Sequence, residues 1–165
     1  MTRRSLLAAS VAAAAMVVVA CGSTPSSAGS AATTPKPTPK PTPAPILKVA
    51  TAAVAGKPET VITNAAGFTL YYYLPDKGAG KVTCVAACLQ AWPPLLLPNG
   101  VTAPTGAAGV TGTLGTVANP NGGQQVTYNG WPVYLWTKDT APGMTTGQNV
   151  GRKWFVVTPA VPPPG

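Results

Sequence analysis

Gly67-Phe68-Thr69-Leu70-Tyr71-Tyr72-Tyr73-Leu74-Pro75-Asp76 and Gly130-Trp131-Pro132-Val133-Tyr134-Leu135-Trp136-Thr137-Lys138-Asp139 align with one another without a gap. Glycine, tyrosine and aspartate coincide and apolar positions match, so the chain carries two copies of one unit. Each copy follows a short β-prone run, Val61-Ile62-Thr63 or Val126-Thr127-Tyr128, and then a turn, Asn64-Ala65-Ala66-Gly67 or Asn129-Gly130. Each therefore predicts a β-hairpin, the second closed by an Asn-Gly pair suited to a type I′ turn.

Strand alternation divides each copy into two faces. Phe68, Leu70, Tyr72 and Leu74, with Trp131, Val133 and Leu135 in the second copy, read as core. The opposite face carries Tyr71, Tyr73, Tyr134 and Trp136. Two readings stand side by side for it: a stacking surface for a sugar or another flat ligand, and aromatic packing under a loop with wet polar tips. Asp76 and Asp139 recur after equivalent strands. A pair of carboxylates can do acid/base work, but an acidic residue ending each hairpin arm also accepts backbone hydrogen bonds from the following turn.

Outward from these units, the composition excludes much. Only 8% of the 165 residues are charged and histidine is absent, which removes the commonest general base and metal ligand. No Ser-His-Asp or Cys-His set can be assembled, and serine is nearly confined to the first part of the chain. The formal net charge of +8 overstates the basic character of the folded part, because Arg3, Arg4, Lys36 and Lys40 precede it. The remaining cations are thinly spread, so no dense patch for nucleic acid is expected.

Arg3-Arg4 followed by an apolar run from Leu6 to Ala20 has the layout of a secretory signal. A membrane-spanning helix would need about 20 apolar residues, whereas this run stops at Cys21 and continues into Gly22-Ser23-Thr24-Pro25. Val18-Val19-Ala20-Cys21 resembles a bacterial lipobox, which implies cleavage before Cys21 and a diacylglyceryl group on its thiol, with further acylation of the palmitate kind. Two or more acyl chains, at about 0.8 kcal/mol per buried CH₂, make a stable anchor. Thr2-Arg3-Arg4-Ser5-Leu6-Leu7 also resembles a twin-arginine export signal, though any basic leader can contain such a pair.

The organisation expected is a signal peptide at 1–20, a lipidated cysteine and Ser/Thr/Pro-rich linker at 21–45, and a mainly β domain at 46–165. The alternating prolines from Pro35 to Pro43 favour an extended spacer of about 3.1 Å per residue that does not order itself.

Taken together, Gly67 to Asp76, then Cys84-Val85-Ala86-Ala87-Cys88-Leu89-Gln90-Ala91-Trp92-Pro93-Pro94-Leu95, resemble the first unit of a bacterial family of secreted repeat lipoproteins of unestablished function. Leu114-Gly115-Thr116, Gln125 to Gly130, Tyr134, Asp139, Pro142-Gly143, Gly147-Gln148, and Gly151 with Trp154-Phe155-Val156-Val157 follow the pattern of its second unit. The resemblance spans about Val61 to Pro159 and implies a repeat fold without implying an activity. Members of that family often have His where this chain has Trp131, and usually a further Gly where it has Asn149, an exchange that perturbs the loop only mildly because Asn accepts positive φ.

With Cys21 acylated, Cys84 and Cys88 remain to pair in an oxidising compartment. On a short helix from about Thr83 to Trp92 these two share a face, and closing so short a loop stabilises by about 2 kcal/mol. The rival reading is a redox pair, with a thiolate favoured at a helix start near Lys81, but C-x₃-C is not the spacing of thioredoxin-like sites. Two thiols cannot complete a zinc site. The segment from Pro142 to Arg152 lacks the Gly-Lys-Ser/Thr of a phosphate loop and reads as a turn-rich connection before a buried strand.

The function expected is that of a non-catalytic, membrane-anchored envelope lipoprotein. It needs no cofactor or metal, and its partners are a cell-wall component or an envelope protein. The alternative is an extracytoplasmic thiol-disulfide or electron-transfer accessory using Cys84 and Cys88.

Overall fold

The computed structural model describes residues 44–77 and 81–162, so the leader, Cys21 and all but the last residues of the linker lie outside the described residues. The described body is mainly β. Strands β1 (Leu47–Val54) and β2 (Lys57–Asn64) form an antiparallel hairpin whose register runs from Leu47 opposite Asn64 to Val54 opposite Lys57. Strands β4 (Leu114–Ala118) and β5 (Gln124–Tyr128) form its counterpart in the second unit. The short β6 (Trp131–Pro132) folds back onto β5 around Asn129-Gly130, whose φ values of 48° and 85° have the positive signs of the expected type I′ turn. In the first unit Asn64 does the same work differently. Its Oδ1 accepts the backbone N–H groups of Ala66 and Phe68, both at 3.0 Å, and so turns the chain back for Thr69 to bridge Thr63.

The two units then exchange their last strands. Strand β3 (Tyr71–Tyr73) belongs to the first unit, yet it pairs with β7 (Trp154–Val156) of the second. Beyond that ladder Val157 N–H donates to Leu70 O at 2.9 Å, and Ile62 N–H donates to Val157 O at 2.8 Å. Reciprocally, Pro94 of the first unit bridges Tyr134 of the second. Leu95 N–H donates to Val133 O at 3.0 Å, and Leu95 O accepts from Val126 N–H at 2.8 Å. At the join, Tyr71 and Tyr134 lie antiparallel and exchange both backbone bonds at 2.9 Å. The hairpin units are thus present, but each is completed by a strand from the other.

This exchange explains where the core sits. Leu70, Trp131 and Val133 join Leu47, Ile62, Val126, Tyr128 and Val157 in one apolar cluster. Tyr71 and Tyr134 join Val61, Cys84, Trp92, Trp154 and Val156 in a second cluster on the other side of the same strands. The alternation is as expected, and of the two readings of the second face packing holds at Tyr71 and Tyr134, which are both 0% exposed, their phenols included, so that the tips are not wet. Partner strands and the 87–92 and 147–154 segments cover it, which makes both faces core.

The helix is also shorter than the sequence implied. It spans α1 (Ala87–Ala91) rather than Thr83 to Trp92. Ala86 sits at φ 51°, ψ −121°, a conformation that cannot continue a helix backwards, and Pro93-Pro94 prevents its extension forwards. Cys84 therefore lies before the helix and Cys88 within it. Their Cα atoms are 5.3 Å apart and the sulfurs are bonded.

Candidate functional site

The buried centre of the domain is built from one arrangement made twice. The phenol of Tyr71 donates to Oδ2 of Asp139 at 2.6 Å, and the phenol of Tyr134 donates to Oδ2 of Asp76 at 2.6 Å. Each tyrosine thus reaches the aspartate of the opposite unit. Oδ1 of each carboxylate is served by the threonine seven residues later. Thr83 gives Asp76 its N–H at 2.7 Å and its hydroxyl at 2.5 Å, and Thr146 gives Asp139 its N–H at 3.0 Å and its hydroxyl at 2.6 Å.

These bonds decide what the carboxylates can do. Asp76 and Asp139 are 0% and 5% exposed, and three uncharged donors occupy the oxygens of each. Charge-assisted bonds of this kind offset the cost of burial. Burial, and after it the hydrogen bond to and charge of the facing aspartate, push both phenols far above the ordinary tyrosine value. For Tyr71 the N–H of Gly147, which donates to the phenol oxygen at 3.2 Å, acts in the opposite direction. Both phenols hold their protons tightly at neutral pH.

Around this crossing lies a run of stacked rings. Trp136 stacks on Trp92 at 4.0 Å between centroids, Trp92 on Trp154 at 3.8 Å, and Trp154 on Tyr73 at 4.2 Å, with interplanar angles of 25°, 3° and 22°. Tyr71 meets Trp92 edge-on at 5.4 Å, and Tyr134 meets Trp154 edge-on at 5.2 Å. The two inner indoles are buried, while Trp136 and Tyr73 at the ends are half-buried.

The four expected face residues therefore separate into two roles. Tyr71 and Tyr134 are structural bonds across the units, whereas Tyr73 and Trp136 cap the stack. Trp136 also borders a mostly apolar groove of about 320 Å³ with Phe68, Pro93, Leu135 and Asn64, which is where a ligand would meet that ring. Cys84 is 1% exposed and Cys88 half-buried. Asp76 and Asp139 do accept backbone N–H groups from the loops that follow them, as the turn reading had it.

Sequence reasoning missed Trp92 and Trp154 as partners of the face. They stand one residue out of step with the gap-free alignment, so their equivalence is hidden. It also missed Thr83 and Thr146, although an Asp followed seven residues later by Thr occurs in both copies and was available as a signal. Gly147 was read only as a turn residue. A β-carbon there would stand 2.8 Å from ring atoms of both Trp92 and Tyr71, so only glycine fits against the two rings.

With this geometry in place, the class is defined by the duplicated unit itself. The chain belongs to the family described as a secreted repeat of unknown function, whose model matches it twice, at residues 53–96 and 115–158. Each matched segment runs past its own aspartate and threonine to the end of its exchanged strand. No curated protein and no solved structure matches the chain.

Proposed function

We propose that this protein is a non-catalytic lipoprotein of the cell envelope, anchored through acyl chains on Cys21 to the extracytoplasmic face of the membrane. Residues 21–45 hold the domain off that surface, and the domain serves as a binding or structural module for a wall component or an envelope protein.

The observation that carries the non-catalytic part is the use of the acidic side chains. Of the three in the chain, Asp76 and Asp139 are committed to bonds between the units, leaving Glu59 alone, and histidine is absent. No pair of acidic or histidine side chains is therefore left to act as general acid and base on a bound substrate. Export is supported by membership of a secreted family whose name includes the word lipoprotein. The bonded Cys84 and Cys88 also suit an oxidising compartment. Among the described residues no helix is long and apolar enough to cross a membrane, which suits an anchor lying before them.

The anchor is tested by growing cells with an alkyne-tagged palmitate analogue and recovering the native protein. Label should appear on the wild type and be lost in Cys21→Ala, and a mature N-terminus at any other residue overturns the reading. Binding is tested by following Trp fluorescence of the domain as wall polysaccharides and envelope extracts are added, because Trp136 borders the groove. No change with any of them removes the binding role. The thiol-disulfide alternative is decided by redox titration, where a potential below about −300 mV marks a structural bond and one near −200 mV an exchanging one. The burial of Cys84 favours the structural bond.

A further inference from the structure

Packing accounts for a buried tryptophan, and a hydrogen bond accounts for a buried phenol. Neither requires four rings in an unbroken stack with both ends reaching the surface, nor a buried phenol–carboxylate pair against each inner ring. Tryptophan and tyrosine are the aromatic side chains most readily oxidised by one electron. An indole can give up an electron and keep its proton for a time. A phenol gives up its electron readily only when the proton leaves with it, and so needs a base already in hydrogen-bond contact.

Both requirements are met twice in this core. The stack Trp136, Trp92, Trp154, Tyr73 has neighbouring rings 3.8 to 4.2 Å apart. Trp136 Nε1 is buried without a hydrogen-bond partner among the described residues, so that indole has no base beside it. Tyr71 and Tyr134 each lie edge-on to an inner indole and donate to a carboxylate at 2.6 Å. Asp139 and Asp76 are therefore positioned to take the two phenolic protons without any rearrangement of the backbone.

We propose that the aromatic core is a one-electron relay that takes oxidising equivalents from a peroxyl-type radical at the surface and stores them on Tyr71 or Tyr134. The radical takes one electron from Trp136 and one proton from solvent, and becomes a hydroperoxide. Trp92 returns an electron to the Trp136 radical cation. Tyr71 then returns an electron to Trp92 as its phenolic proton moves to Oδ2 of Asp139. The products are a hydroperoxide, a neutral tyrosyl radical and a protonated Asp139. A one-electron donor such as a thiol or quinol restores the phenol: its electron returns to Tyr71, the proton returns from Asp139, and the donor's own proton goes to solvent. From the Trp92 radical cation the deficit also passes to Trp154, to which Tyr134 returns an electron as its phenolic proton moves to Oδ2 of Asp76. Cys84 and Cys88 take no part.

The test uses the full chain with photogenerated ruthenium tris-bipyridine as the one-electron oxidant and electron paramagnetic resonance as the readout. The wild type should give a tyrosyl signal that rises more slowly in deuterated water, because proton and electron move together. Tyr71→Phe with Tyr134→Phe should lose that signal and leave a tryptophan radical, with near-ultraviolet circular dichroism showing that the stack is kept. Trp92→Phe should sharply lower the tyrosyl yield from Trp136. Should the double variant prove unfolded, the wild-type isotope dependence decides alone. A tyrosyl signal that survives in a folded double variant, or a wild-type rise indifferent to deuterium, overturns the relay.

Discussion

At the scale of the residue, the crossed tyrosine–aspartate bonds bind the two copies together. In Tyr71→Phe the ring still fills its place, but Oδ2 of Asp139 is left buried without its donor. Such an orphaned acceptor costs about 1–3 kcal/mol, and denaturant titration of the variant should show a loss of that size. Tyr134→Phe should match it, since the bond to Asp76 has the same length. The phenols also set the alkaline limit of the fold. Both are raised above their ordinary value of 10.0 in the folded state. Their contribution is therefore fully present below pH 10 and is lost as pH climbs beyond it. With two groups the loss approaches about 2.7 kcal/mol per pH unit. Spectrophotometric titration should find that Tyr71 and Tyr134 ionise only as the protein unfolds. The turn-acceptor role of both aspartates was legible from their place after the strands. Their bond to the opposite tyrosine was not, because no local pattern distinguishes a hydroxyl held by a distant carboxylate from one held by water.

At the scale of the element, the hairpins were legible because their signals are local. Asn129-Gly130 adopts the two positive φ values expected of it, and Asn149 takes a φ of 62°, the positive sign that asparagine tolerates. The alternation of faces held through both copies. The destination of the second face stayed hidden because nothing local in Trp154 to Val156 or in Pro93 to Leu95 tells that each pairs with the opposite unit, where hydrogen bonding places it. The helix was overextended because nothing in Val85-Ala86-Ala87 announces the positive φ at Ala86. The fit around the stack gives a prediction at this scale. Gly147→Ala puts a methyl 2.8 Å from ring atoms of Trp92 and Tyr71, and overpacking of that kind costs about 1–3 kcal/mol. Thermal melts should show the loss together with a weakened near-ultraviolet signal from the displaced indoles. Gly143→Ala, where a β-carbon would meet no heavy atom within 4 Å but φ is 82°, should keep that near-ultraviolet signal.

At the scale of the whole molecule, reciprocal exchange makes two sequence repeats into one body. Neither copy can bury its own tyrosine: Tyr71 needs Asp139 and β7, and Tyr134 needs Asp76 and the strand at Pro94. This sets the domain apart from repeat arrays whose units stack as neighbours and share only an interface. It also explains why the family match falls as a pair within one small domain. Cutting the connection between the units tests this most directly. Residues 108 and 109 lie in an exposed turn, after the bond from Ala107 to Leu47 and before those of Gly112 and Thr113 with the second unit. Fragments 46–108 and 109–165 should each lack near-ultraviolet circular dichroism alone and recover it together as a one-to-one complex. A fragment that folds by itself, with its tyrosine buried and no partner present, would contradict the interlocked core.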